Sequence, residues 1–302
     1  MKTKAFIYII VAGVLWGTSC LFVNYLAPLG FTSAQMTFAR GLVAFLCMAV
    51  YALFLNRSAY RVKPLHLLLY LLIGFSLFAT AFCYYTSMQL TSASTSVVLM
   101  YTAPVYVMLF SVLFLGEKMS PLKLLAVGLM LVGCCFVSGV LTGFQFHPIG
   151  ILFGLLSGIG YAAYNIITKI ALRCGGNPIS ATVYGFMSMA AFAALFADPA
   201  AMVPHIVASP IRSIALLVGI GVVTSVMAYL LYTIALKDIP AGTASALSIV
   251  EPMAATVFSF LLLNEHLDLG SVIGIALILT SVFLLGRAEG KHHKNTEQGE
   301  TK

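Results

Sequence analysis

Apolar residues fall in long runs along the whole chain, and polar residues are largely confined to the short stretches between them. Ten runs are legible, at about residues 5–25, 32–54, 66–88, 92–115, 121–140, 149–171, 179–197, 212–236, 241–263 and 269–286. Each is about 20 residues long, the length of helix that crosses a hydrocarbon core about 30 Å thick. The pattern predicts an all-α polytopic membrane protein with ten transmembrane helices and short connections. The polar stretch 288–302 is expected to be a disordered tail on the cytoplasmic side.

Composition agrees with this pattern. Of 302 residues, 61% are hydrophobic and 8% charged, against about 25% charged in a soluble domain. No sizeable soluble domain fits between the runs. The net charge of +7 is read as basic inner loops and not as affinity for nucleic acid. With the N-terminus inside, 14 of the 16 Lys and Arg residues fall in inner segments; Arg212 falls outside and Arg40 lies within the second run. This asymmetry places both termini in the cytoplasm and calls for an even number of spans. Five of the six cysteines lie inside apolar runs without ligand-like spacing, so they are packing residues; no metal or other cofactor is expected. Lys2 and Lys4 precede a first run too long to be only a cleavable leader.

The two halves of the chain, 1–140 and 149–287, resemble each other. A shift of 148 carries Tyr84 onto Tyr232, Ala93 onto Ala241, Pro104 onto Pro252 and Glu117 onto Glu265; a shift of 145 carries Trp16, Cys20 and Asn24 onto Tyr161, Asn165 and Lys169. Five spans per half is an odd number, so the second half would enter the membrane upside down. Inverted repeats of this kind supply secondary transporters with two related shapes around a midplane site.

Charges inside the runs are the candidate chemistry. Glu251 lies about 15 Å into the ninth run at the helical rise, where an ionisable group costs about 2.5–3.5 kcal/mol and is by default a functional hypothesis. It reads either as a contact for a substrate ammonium or coupling proton, or as a neutral carboxyl bonded to a neighbouring helix. Arg40 reads as a structural or gating ion-pair partner for Glu251 or Glu265, as a substrate-carboxylate contact, or as a side chain that snorkels outward. Glu117 and Glu265 close their helices at the end that repels anions, so each needs a local donor, and structural or gating roles are expected. Pro104 and Pro252 place kinks at mid-membrane, where irregular backbone lines protein or water and not lipid. Trp16 with Asn24, and Tyr161 with Asn165, share helix faces at four-residue spacing. Together with Tyr84, Tyr101 and Tyr232 they are expected to wall a cavity. Tyr51, Tyr60 and Tyr70 read as anchors at the membrane surface.

Leu15-Trp16-Gly17, Arg40, Tyr101-Thr102-Ala103-Pro104 through Glu117, and Glu251-Pro252 through Glu265 together resemble the EamA-type members of the drug/metabolite transporter superfamily, over nearly the whole chain. That resemblance implies ten helices in two inverted five-helix repeats, a central cavity, and transport of small metabolites, often export of amino acids or related compounds. Two features depart from relatives in the superfamily. The first span has no acidic residue, so a single-glutamate mechanism there does not carry over. The ninth has no Lys/Arg pair, so a phosphate-binding logic has no anchor. The reading is therefore a secondary active exporter of a small amphipathic metabolite in the plasma membrane, with a candidate coupling proton and no enzymatic activity. Its partners are the lipid bilayer and the solute; the sequence sets no oligomeric state. The alternatives are an intramembrane enzyme on a lipid-linked substrate, and a passive channel. The six histidines, all in loops, span ends or the tail, offer the enzyme no buried acid–base pair.

Overall fold

The computed structural model describes residues 2–117, 119–140, 147–263, 266 and 268–300. Among these residues all regular structure is helical, and nine spans are long and apolar enough to cross a membrane. The protein is a multi-pass membrane protein. The first span is α1 (Lys2–Gly17) and α2 (Ser19–Leu26), the second α3 (Ser33–Leu55) and the third α4 (Pro64–Leu90). The fourth is split into α5 (Ala93–Met100) and α6 (Ala103–Leu115), and α7 (Pro121–Val137) follows. After the next connection come α8 (Pro148–Arg173) and α9 (Pro178–Ala197), then a short surface helix, α10 (Met202–Ala208). The next span joins α11 (Pro210–Ile220), a π-helical stretch (Gly221–Met227) and α12 (Ala228–Ala235). The last two are α13 (Ala241–Leu247) with α14 (Val250–Leu262), and α15 (Leu269–Glu300).

The helix starts follow from local sequence. Proline occupies the first turn of α4, α7, α8, α9 and α11, where its missing N–H has no helical partner to lose. Thr32 and Gln35 form a reciprocal capping box at the start of α3. Ser92, Ser120, His147 and Asn177 each accept a backbone N–H at the start of α5, α7, α8 and α9. Short loops leave neighbouring helices antiparallel. In the bundle α4 lies along α8 and α9, α3 along α9, and α7 along α15, while α1 packs on α12 and α14.

Glycines set the closest crossings. A Cβ on Gly17 would lie 2.6 Å from the Ala254 Cβ and 2.9 Å from the Ala255 N, and one on Gly133 would lie 2.9 Å from the Gly274 carbonyl. In a bilayer, where apolar side chains gain little by meeting each other, such small-residue contacts are a main source of helix adhesion.

Three details differ from the sequence expectation. The fifth run forms a 17-residue helix, shorter than the nine spans, because the chain turns at Ser138 and Gly139, the latter at φ 68°. The tail from 288 continues α15 as helical backbone to Glu300: it has no proline, and extending an existing helix avoids the cost of nucleation. Tyr70 is 1% exposed, and its hydroxyl accepts from the Asn177 N at 3.0 Å, so it is an internal tie and not a surface anchor.

Candidate functional site

Both prolines interrupt their spans as geometry requires. The ring of Pro104 follows a turn at Tyr101–Thr102, and that of Pro252 follows a turn at Ser248–Ile249. These breaks bring side chains from the two halves together. The Tyr101 hydroxyl donates to Glu251 Oε2 at 2.6 Å, across 150 positions of sequence.

This pair lies on the wall of a cavity of about 440 Å³. Its walls come from α1 and α2 (Trp16, Cys20, Val23), from α3 (Met36, Arg40) and from α4 (Thr80, Tyr84, Tyr85, Met88). Tyr161, Tyr229 and Glu251 complete it from the second half. The lining residues sit in the second half of the first span, the first half of the second and the second half of the third. The cavity therefore lies toward the face opposite the N-terminus, here the distal face; the other is the proximal face. The walls are aromatic and thioether-rich, with two ionisable groups of opposite sign.

Arg40 and Glu251 share the cavity without a direct ion pair, contrary to one sequence expectation. Arg40 Nε donates instead to Ser225 Oγ at 3.2 Å. Ser225 belongs to the π-helical stretch Gly221–Met227, a local widening of the kind that often sits at functional sites. Both charges are thus held by neutral partners: Glu251 by the Tyr101 phenol, Arg40 by the Ser225 hydroxyl with the Tyr229 phenol beside it. The Trp16 Nε1–H is buried and has no partner. An unmet buried donor costs about 1–3 kcal/mol.

An aromatic floor closes the cavity below. Trp16 meets Tyr229 edge-on with centroids 4.9 Å apart and Tyr232 at 5.2 Å; Tyr164 stacks on Tyr232 at 6.2 Å. The Tyr232 hydroxyl donates to Asn165 Oδ1, and Asn165 Nδ2 donates to the Tyr161 carbonyl at 2.8 Å. Tyr232 and Asn165 therefore support the floor and do not line the cavity. Asn24 is exposed and outside it. The helix ladder is interrupted at Thr18, whose hydroxyl bonds the Leu15 carbonyl at 2.7 Å, so the four-residue face does not continue to Asn24.

The proximal face is sealed by charges set on helix ends. Glu117 accepts from the Ala241 N at 2.8 Å and the Gly242 N at 3.4 Å, so its donors are the first amides of α13. An anion there satisfies orphan N–H groups and the positive end of the helix dipole. Lys169 is 6% exposed and donates to the carbonyls of Leu236, Lys237 and Ile239, the last at 2.8 Å. Arg173 donates to the Leu115 carbonyl at 2.7 Å. Every residue of α13 is buried beneath these contacts. Glu265, its counterpart by the 148-residue shift, lies outside the described residues, as does Lys118.

Seven of the residues singled out in sequence thus line the cavity: Trp16, Arg40, Tyr84, Tyr101, Tyr161, Glu251 and Pro252. Pro104 and Glu117 do not; the first breaks its span and the second caps α13. The sequence also groups Tyr229 with Tyr232 and Thr233 on the eighth run, and Tyr229 does line the cavity; sequence reasoning passed over Ser225 and Met36. A methionine in an apolar run looks like packing, and Ser225 reaches Arg40 from the π-helical stretch of a distant span.

A bundle of membrane-crossing helices around an aromatic-walled cavity that holds an arginine and a glutamate and is closed at one face is the architecture of a membrane transporter. The chain belongs to the EamA-like transporter family, whose model matches residues 3–139 and again 148–287. It is 31% identical over 282 residues to an uncharacterized transporter of Archaeoglobus fulgidus, covering 92% of this chain and 95% of that one. It is 25% identical over 293 residues to an uncharacterized transporter of Clostridium kluyveri, covering 91% of each. The inner membrane protein YtfF of Escherichia coli is 26% identical over 315 residues, covering 94% of this chain and 95% of that one. A solved crystal structure superposes with a TM-score of 0.78 at 19% identity, over 94% of this chain and 96% of the other, a likeness of fold.

Proposed function

We propose that this protein is a secondary active transporter that exports a small amphipathic metabolite, an amino acid or related compound, across the plasma membrane. It works by alternating access, with both termini in the cytoplasm, so the proximal face is cytoplasmic and the cavity opens outward. The ten spans form two inverted five-helix repeats, 1–140 and 149–287, with α7 as the fifth. The double match to one family model supports the duplication.

The observation that carries this reading is the Tyr101–Glu251 bond at 2.6 Å, made where both repeats break on the cavity wall. A carboxyl held by one phenol, with Arg40 on the same cavity, suits a zwitterion: Arg40 takes a carboxylate, and Glu251 takes an ammonium or the coupling proton. The aromatic walls and the Trp16 N–H hold the rest of the solute. No part of the reading requires a cofactor.

The test is Glu251→Gln in proteoliposomes, with solute efflux measured against an imposed pH gradient. Transport is expected to fall at least tenfold and to lose its response to the gradient. Full, gradient-dependent efflux would remove the coupling role.

A further inference from the structure

A second, far smaller void lies below the aromatic floor, with a volume of about 10 Å³. It is lined by Tyr164, Thr168, Ala181, Thr182, Tyr229 and Thr233, among others. The repeat relation gives these residues a meaning. The 145-residue shift carries Ser19 onto Tyr164 and Val23 onto Thr168. The 148-residue shift carries Ser33 onto Ala181, Ala81 onto Tyr229 and Tyr85 onto Thr233. All five first members line the 440 Å³ cavity, and all five second members line the void.

An independent observation concerns hydrogen bonds. Buried hydroxyls in this protein usually bond a carbonyl one turn back, as Thr80, Thr182 and Thr224 do at 2.6–2.7 Å. Tyr164 Oη, Thr168 Oγ1 and Ser245 Oγ make no hydrogen bond within 3.5 Å, although the three residues are 2%, 1% and 0% exposed; the hydroxyl turned toward Tyr164 is that of Thr233, itself on the void's lining. Tyr164 and Thr168 border the void. Ser245 is the counterpart of Val97, another wall residue of the large cavity. Three of the five orphaned buried polar atoms among the described residues therefore fall on the mirror image of the open cavity. Orphaned groups of this kind are rare in a settled interior.

We propose that this void is the cytoplasmic half of the solute path, collapsed in this conformation, and that Tyr164, Thr168 and Ser245 are its solute- and water-facing hydroxyls. The inference rests on the alternating-access reading above. When the proximal face opens, these groups take hydrogen bonds from water and from the uncharged polar part of the solute. The void has no acidic or basic side chain in its lining, so selection by charge stays with Arg40 and Glu251. The inner half accepts the solute by size and by neutral hydrogen bonding.

The test uses N-ethylmaleimide labelling in a chain whose six native cysteines are replaced by alanine. Thr168→Cys and its mirror position Val23→Cys are each combined with Glu117→Ala, which removes the cap holding α13. Thr168→Cys should label slowly in the parent and at least tenfold faster with Glu117→Ala, while Val23→Cys slows. If Thr168→Cys stays slow, or if both sites speed up together, the inference fails. Tyr164→Phe gives a second reading without relying on the gate: solute efflux should fall at least fivefold while the melting temperature holds or rises. Undiminished efflux with Tyr164→Phe counts against the proposal. Reciprocal labelling in a protein that moves no solute would instead overturn the transport function and leave the void's assignment standing. Efflux that persists with Thr168→Cys always protected would do the reverse.

Discussion

Tyr101 and Glu251 stand 150 residues apart in sequence and 2.6 Å apart on the cavity wall, each within two residues of a helix break next to a proline. A hydrogen bond to a charged group contributes about 1.5–3 kcal/mol. Tyr101→Phe keeps the ring and deletes the donor. Initial efflux rates at fixed pH are expected to fall about tenfold, the rate equivalent of about 1.4 kcal/mol. A Phe variant with unaltered rates would mean that the bond only stabilises the fold.

Arg40 is predicted to need its shape as well as its charge. Lysine retains the cation but cannot reproduce the Nε–H donated to Ser225 at 3.2 Å. Arg40→Lys and Ser225→Ala should reduce transport to a similar, intermediate degree, and Arg40→Ala should abolish it. If lysine restores full transport while Ser225→Ala is impaired, the Ser225 contact matters for a different reason.

The Gly17 crossing gives a stability prediction. A side chain there meets the Ala254 Cβ at 2.6 Å and backbone behind it, and overpacking of this kind costs about 1–3 kcal/mol. Gly17→Leu should lower the melting temperature of the detergent-solubilised protein. Gly128 has nothing within 4 Å of its would-be Cβ, so Gly128→Ala should be neutral or stabilising, alanine being the better helix former by about 1 kcal/mol. Equal effects at both sites would contradict the packing described for Gly17.

Asp268 offers a pH prediction outside the spans. The Ser271 hydroxyl faces its carboxylate and the Ser271 N–H donates to it at 2.8 Å at the start of α15, and these bonds hold its pKa below the usual aspartate value. A depressed folded-state pKa stabilises the folded form above the unfolded value, and that stability is lost as pH falls through the folded one. Wild type and Asp268→Ala should therefore differ in melting temperature near neutrality and converge in acid. A difference that widens in acid would reverse the assigned role.

Most of the architecture could be read from the runs of apolar residues, because a bilayer leaves the backbone few choices. The residues at the site were harder. Glu251 and Arg40 were conspicuous, since a charge inside an apolar run is costly. Their partners were not, because Tyr101 and Ser225 reach them only after distant spans cross. Asn24 and Asn165 show the same limit. Spacing puts each on a face, but an interruption at Thr18 removes one from the cavity, and the Tyr232 hydroxyl takes the other into the floor. Glu117 was recognised as needing a donor, yet nothing local to it names the amides of Ala241 and Gly242.

Lys169 carries one further consequence. It is bound to three carbonyls at the proximal face, whereas the residue in its place in the other repeat, Asn24, is exposed. On the proposed reading, two halves built from one plan would otherwise give no preference between the two shapes. A contact made on one face only tilts that balance, and each 1.4 kcal/mol of net advantage is about a tenfold change in population. In the proposed alternating-access cycle the empty carrier then waits with this cavity open, and the lysine, which is not among the cavity's lining residues, sets how long it waits.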